Sequence, residues 1–122
     1  MKRDWELVRE ILIAVESIDN HRHVVSEGDL PAYDGQVVSD HIYLLQQAGL
    51  VTGTCRSPLG SPRSCEAREL TWAGHEFLDN VRSQTVWKKT RSLLQEKGLD
   101  LTFDTIKAAA GAVASSILGG SI

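Results

Sequence analysis

Gln36, Ser39, Tyr43, Gln46 and Gln47 fall within one apolar-periodic stretch, and Arg56, Arg63 and Arg68 fall in the segment that follows it. Glutamine bonds adenine with two hydrogen bonds, a serine hydroxyl bonds several base-edge groups, and arginine meets phosphate oxygens with a fork of N–H donors. These residue types suit contact with double-stranded DNA, the helix facing the groove and the arginines touching the backbone. Two features oppose it. The stretch carries no Lys or Arg, and Asp40 among its exposed positions repels phosphate, whose contacts normally supply most non-specific affinity.

Other groupings carry less chemistry. His75 and Glu76 are adjacent, so on a helix they point about 100° apart and form no acid/base pair. Ser57, Ser61 and Ser64 have no histidine nearby in sequence, and no phosphate-cradling glycine loop is visible. Asp29, Asp34 and Asp40 lack the spacing of a calcium loop, and His21 and His23 have no cysteine near them to complete a zinc site. No enzymatic activity, metal or cofactor is expected. Cys55 and Cys65 flank the arginine-bearing loop. They are spaced to meet across a hairpin, but no secretory signal precedes them, so reduced thiols in a cytoplasmic protein are the expectation.

The elements that must position these residues follow from periodicity. Leu7, Val8, Ile11, Leu12, Val15 and Ile18 recur at spacings of three and four, predicting a helix over residues 3–18 with Asp4 as its N-cap. Residues 19–35 are polar and broken by Pro31 and two glycines. They predict an irregular connection, with room for a short strand at His23-Val24-Val25; a short helix is not demanded. Asp34 to Gln36 opens the next helix, whose buried side is Val37, Val38, His41, Ile42, Leu44, Leu45 and Ala48, and Gly49 closes it. Leu50-Val51-Thr52 favours a strand, Ser57 to Pro62 a hairpin tip, and Glu66 to Leu70 the return strand. Thr71 caps a third helix with Trp72, His75 or Phe77, Leu78 and Val81 inward. Trp72 and Trp87 are expected as core or subunit-interface anchors. A helix over 84–97 ends at Gly98. A last one, starting at Asp100 or Thr102, buries Ile106, Ala109, Ala110, Val113, Ile117 and Leu118.

Helix, strand, loop, strand, helix is the order of a winged helix-turn-helix. The expected class is α+β, mainly helical, with a two-stranded wing and two extra C-terminal helices. Residues 1–122 form a single winged-helix-like domain, with a core over 3–83 and a helical extension over 84–118. A chain of 122 residues, 42% hydrophobic and 24% charged, is an ordinary globular composition. The tract Ala108 to Leu118 is too short to span a bilayer. Net charge is −3 but unevenly placed. Residues 1–40 hold four basic against nine acidic side chains, a net −5, and residues 82–97 hold five basic against one acidic, a net +4. Such asymmetry suits a polar partner surface or a solvated helix face.

The run from His41 to Leu78 resembles winged-helix regulators in which H-x-x-x-L-x-x-x-G-L-[IV] precedes a wing and L-T-x-x-G follows it. The whole chain is similar to a family of short phage and prophage proteins designated only as a domain of unknown function. That resemblance rests on Met1-Lys2-Arg3-Asp4, Leu7-Val8-Arg9, Ile11-Leu12, His41 to Leu50, Leu70-Thr71-Trp72-Ala73-Gly74-His75-Glu76-Phe77-Leu78-Asp79, Arg82 and Val86-Trp87. It implies a winged-helix fold in mobile-element proteins and brings no catalytic residues. Beside a structural adaptor with no independent activity, two readings stay open. One is a phage or prophage accessory protein, DNA-binding and regulator-like, with a homodimer through the C-terminal helices. The other is a winged helix that binds a host or phage protein, such as an inhibitor of a host defence factor or an antitoxin.

Overall fold

The computed structural model of the chain describes residues 1–119. Among them are five α-helices and one two-stranded antiparallel sheet, an α+β architecture dominated by helix. The chain divides into two compact units, Met1–His75 and a second from Glu76 onward. No helix among the described residues is long and apolar enough to cross a membrane.

Helix α1 (Trp5–Glu16) starts where Asp4 caps it. The carboxylate accepts the otherwise unpaired backbone N–H groups of Glu6 and Leu7 at 3.0 and 3.1 Å, a contribution of about 1 kcal/mol. Its apolar stripe, Leu7, Val8, Ile11, Leu12 and Val15, is buried as the spacing predicts. Asp4 also anchors the helix from outside. Its own N–H donates to Nε2 of the buried His41 at 2.8 Å, while Nδ1 of that ring lies 2.8 Å from the Val37 carbonyl. A ring that accepts at Nε2 and donates at Nδ1 fixes one tautomer and ties the start of α1 to the middle of the next helix.

The connection that follows is irregular, and the short strand allowed at His23–Val25 contracts to one bridge. Val25 and Ala67 exchange backbone bonds at 2.9 and 2.8 Å, which adds a third chain segment beside the sheet. A single 3-10 turn, Glu27–Asp29, packs here. Downstream, the Tyr33 hydroxyl donates to the Glu10 carboxylate. Burial, this bond and the Glu10 charge raise its pKa well above the usual phenol range, so the hydroxyl holds its proton more tightly.

Helix α2 (Gly35–Gln47) buries Val38, Ile42 and Leu45 and ends at Gly49, which takes a φ of +75° that an L side chain would resist. Strands β1 (Val51–Arg56) and β2 (Ser64–Leu70) pair from Val51 opposite Leu70 to Arg56 opposite Ser64. The register slips between Thr52 and Gly53. Thr52 faces Glu69 and Gly53 faces Ala67, so Arg68 is the extra residue of a bulge.

Helix α3 (Trp72–Val81) begins immediately after β2, where the Thr71 hydroxyl accepts the Gly74 N–H at 3.0 Å and donates to the Gly49 carbonyl. Phe77, Leu78 and Val81 are buried as expected, but Trp72 is 80% exposed and is no core anchor. At the first position of the helix its side chain leaves the inward line set by Phe77, Leu78 and Val81, so only smaller Gly74 meets the sheet end, close against the Leu50 carbonyl.

The second unit continues with α4 (Gln84–Glu96), capped by Ser83, and α5 (Phe103–Gly119). Trp87, Thr90 and Leu94 are buried on α4, and Ile106, Ala109, Ala110 and Val113 on α5. Phe77 and Phe103 stack with ring centres 4.8 Å apart. The sequence also predicts Ile117 and Leu118 on the buried line, yet they are 49% and 81% exposed. The buried stripe ends at Val113.

Candidate functional site

The side chains of α2 divide into two rows beside its buried face. Gln36, Asp40, Tyr43 and Gln47 are spaced by four, three and four residues, which aligns them along one outer stripe. Gln36, Ser39 and Gln46 form the neighbouring row, and that row meets the hairpin.

Three polar links hold β2 against α2. The Gln36 amide donates to the Arg63 carbonyl at 3.1 Å, the Cys65 N–H donates to the Ser39 hydroxyl at 3.1 Å, and the Gln46 amide approaches the Glu66 carbonyl at 3.5 Å. Each joins an α2 side chain to hairpin backbone, and the buried one gives the Cys65 N–H its partner. The arginine-bearing segment therefore lies alongside α2, as the order of elements predicts. Ser39 does not face outward. It is fully buried, and its hydroxyl is committed to the Cys65 N–H, so it is no contact for an external partner. Position 39 lies between the core line and the hairpin, a placement that helical period alone leaves undecided.

Arg63, just ahead of β2, extends across the outer stripe. Its guanidinium carbon sits 3.7 Å from the centre of the Tyr43 ring, and Nη1 lies 3.5 Å from Asp40 Oδ1. That same carboxylate oxygen accepts from the Gln36 amide at 3.1 Å, and the Gln47 amide donates to the Tyr43 hydroxyl at 3.2 Å. Gln36, Asp40, Arg63, Tyr43 and Gln47 thus form one continuous polar and aromatic strip. Arg63 is the only cation in it, and Asp40 offsets its charge. Both members of the pair keep solvent contact, at 38% and 28% side-chain exposure, so the pair is weak and separable.

Arg56 is exposed and reaches Glu66 at 3.0 Å, again a carboxylate facing a hairpin arginine. Between them the directly opposed Cys55 and Cys65 are joined as a disulfide, with their Cα atoms 4.1 Å apart. This corrects the expectation of reduced thiols. Strand register places the two residues face to face, a proximity that compartment-based reasoning does not see.

Arg68 does not join the strip. The bulge directs it to a separate hollow near the end of α1, lined among others by Glu16, Asp19, His21 and His75. Of the eight residues proposed from sequence, Gln36, Tyr43, Gln47 and Arg63 come together outward, and Arg56 flanks them. Gln46 is largely given to the hairpin, Ser39 is buried, and Arg68 lies elsewhere. Asp40 was visible as an exposed helix position, but its role as the partner of Arg63 was not; the spacing of four from Gln36 and three to Tyr43 is the signal that places it in the strip. Among the described residues, no group of three or more His, Cys, Asp or Glu side chains is placed to hold a metal ion.

The sequence matches a family described as "Hypothetical protein (DUF2513)" over residues 2–100. It is 41% identical over 118 residues to an uncharacterized protein of Haemophilus influenzae, a match that covers 97% of this chain and 99% of that relative. No solved structure matches the chain. With four fifths of its length inside the family's span and a full-length relative beside it, the chain belongs to the DUF2513 family.

Proposed function

We propose that this protein is a winged-helix DNA-binding protein of regulator-like character, with α2 as the recognition helix and the β1–β2 hairpin as the wing. The observation that supports this most is the strip itself. An outward line of Gln36, Tyr43 and Gln47 on one helix has an arginine laid across it from an adjoining hairpin, which is the arrangement of a helix in the major groove with a wing on the backbone. Glutamine amides supply paired donors and acceptors for base edges, and Arg63 and Arg56 supply phosphate contacts. Arg63 has a partner in Asp40 and Arg56 one in Glu66, so DNA must exchange with weak, solvated ion pairs. That exchange costs little, because each such pair is worth about 0.2–1 kcal/mol. A phage or prophage accessory role and a cytoplasmic location belong to the same reading.

The test is duplex binding by R56A/R63A. Each lost phosphate contact removes about 0.9 from the slope of log affinity against log salt, so the double variant should bind more weakly at low salt and lose roughly 1.8 of slope. Unchanged affinity at low salt refutes the reading.

A second reading is a winged helix that binds a protein, such as an inhibitor of a host defence factor or an antitoxin. It is favoured by the local charge balance, where Arg63 in the strip and Arg56 on the hairpin each face a carboxylate, and by the net charge of −3. Recovery of partners from host lysate with and without nuclease separates the two: a protein retained after nuclease supports the second, and loss of all bound material supports the first.

A further inference from the structure

The second unit carries an open groove of about 450 Å³ between α4 and α5, and its surroundings define what fits it. Leu93, Val113 and Ile117 give the groove an apolar floor, and Ile117 is 49% exposed. Its α4 rim is polar and graded: Lys88 and Lys89 stand at one end, Ser92 lies in the middle, and Glu96 stands at the other. None of those three charged side chains has an ion-pair partner among the described residues. Both ends of the rim are thus available to opposite charge.

We propose that this groove is a two-fold interface with a second copy of the chain. An interface about a two-fold axis must be self-complementary, so that each residue meets its counterpart in reverse order. The rim satisfies that condition when the axis passes near Ser92. Two α4 helices lying antiparallel place Lys88 and Lys89 of each copy opposite Glu96 of the other. The separation along the helix, seven to eight residues or about 12 Å, is the same in both directions. The floor residues then meet across the axis, removing the exposed Ile117 from water. Ala112 and Ser116, which also line the groove, are small enough to let the second copy approach. A DNA duplex would meet Lys88 and Lys89 but oppose Glu96, and it gains nothing from the apolar floor. A partner of uniform charge would satisfy one end of the rim and oppose the other. The inference does not depend on what α2 and the hairpin bind.

The test is sedimentation equilibrium on the full chain over a wide concentration range, for wild type and three charge variants. Wild type should show a monomer–dimer equilibrium. E96K faces each lysine pair with a further cation and should weaken dimerisation about tenfold, as should K88E/K89E; the combined K88E/K89E/E96K restores the order of charges in reverse and should recover it. All three sites are exposed, and circular dichroism checks that the variants stay folded. The proposal is overturned if wild type remains monomeric at every concentration. It is equally overturned if E96K leaves the dimer unchanged, or if the combined variant is no better than the single reversals.

Discussion

Asp40→Asn provides a discriminating perturbation, because it removes one charge and almost no structure. The asparagine oxygen can still accept from the Gln36 amide, now 3.1 Å from Oδ1, while the attraction to Arg63 Nη1 at 3.5 Å loses its ionic part. With 38% and 28% side-chain exposure, that loss should cost the fold no more than about 1 kcal/mol. The effect on binding has the opposite sign. A phosphate seated on the guanidinium of Arg63 would lie about 6 Å from the Asp40 carboxylate, and like charges at that distance repel by ~0.7 kcal/mol at the dielectric of water, more near a protein surface. Adding part of the ion pair that DNA must displace gives about 1 kcal/mol in all, or roughly fivefold tighter binding by D40N. Fluorescence anisotropy with a mixed-sequence duplex at two salt concentrations reads this directly, with thermal unfolding as the control for fold. In the same assay R63A/D40N should show no gain over R63A, since without Arg63 no phosphate is seated beside the carboxylate. A folded D40N that binds duplex no better than wild type would refute the assignment of Arg63 to phosphate.

Three further outcomes test the scaffold. Ser39→Ala leaves the Cys65 N–H unpaired in a buried position and should destabilise the protein by about 1–3 kcal/mol in urea titration, whereas Gln47→Ala on the exposed stripe should stay within about 0.5 kcal/mol. Gly74→Ala would put a Cβ 2.0 Å from the Leu50 carbonyl oxygen, a backbone atom that cannot swing aside, so the variant should lose about 3 kcal/mol or more; a melting temperature near that of wild type would contradict the close approach of α3 to the chain after α2. Reduction of Cys55–Cys65 reopens a hairpin loop of sequence separation ten and should lower stability by up to about 3 kcal/mol, read as a lower melting temperature with reductant that C55S/C65S reproduces without it.

Much of the scaffold was legible in local sequence, and the reasons are local too. Asp4 and Asp34 precede apolar-periodic runs and cap them, and Gly49 and Gly98 take positive φ where those runs stop. Pro58 and Pro62 cannot donate to a ladder, which places the hairpin tip between them. The exceptions share a cause. Trp72, Ile117 and Leu118 are large and apolar at helical positions, and composition assigns them inward. Trp72 lies off the inward line of Phe77, Leu78 and Val81, and Ile117 and Leu118 lie beyond Val113, where the buried stripe of α5 ends.

The sequence by itself determined the order of the five helices and the hairpin, because caps, turn residues and periodicity act within a few positions, while strand lengths and the bridge at Val25 followed from pairing. It also placed an arginine-bearing hairpin after α2. Only the tertiary structure decided which side of α2 that hairpin covers. The choice turned Ser39 inward to the Cys65 N–H, set Arg63 between Asp40 and Tyr43, and brought Cys55 face to face with Cys65. The bulge at Arg68 carried that arginine away from the strip. Each of these outcomes is set by register and by contacts between residues ten or more positions apart, where a shift of one residue in a strand exchanges one face for the other.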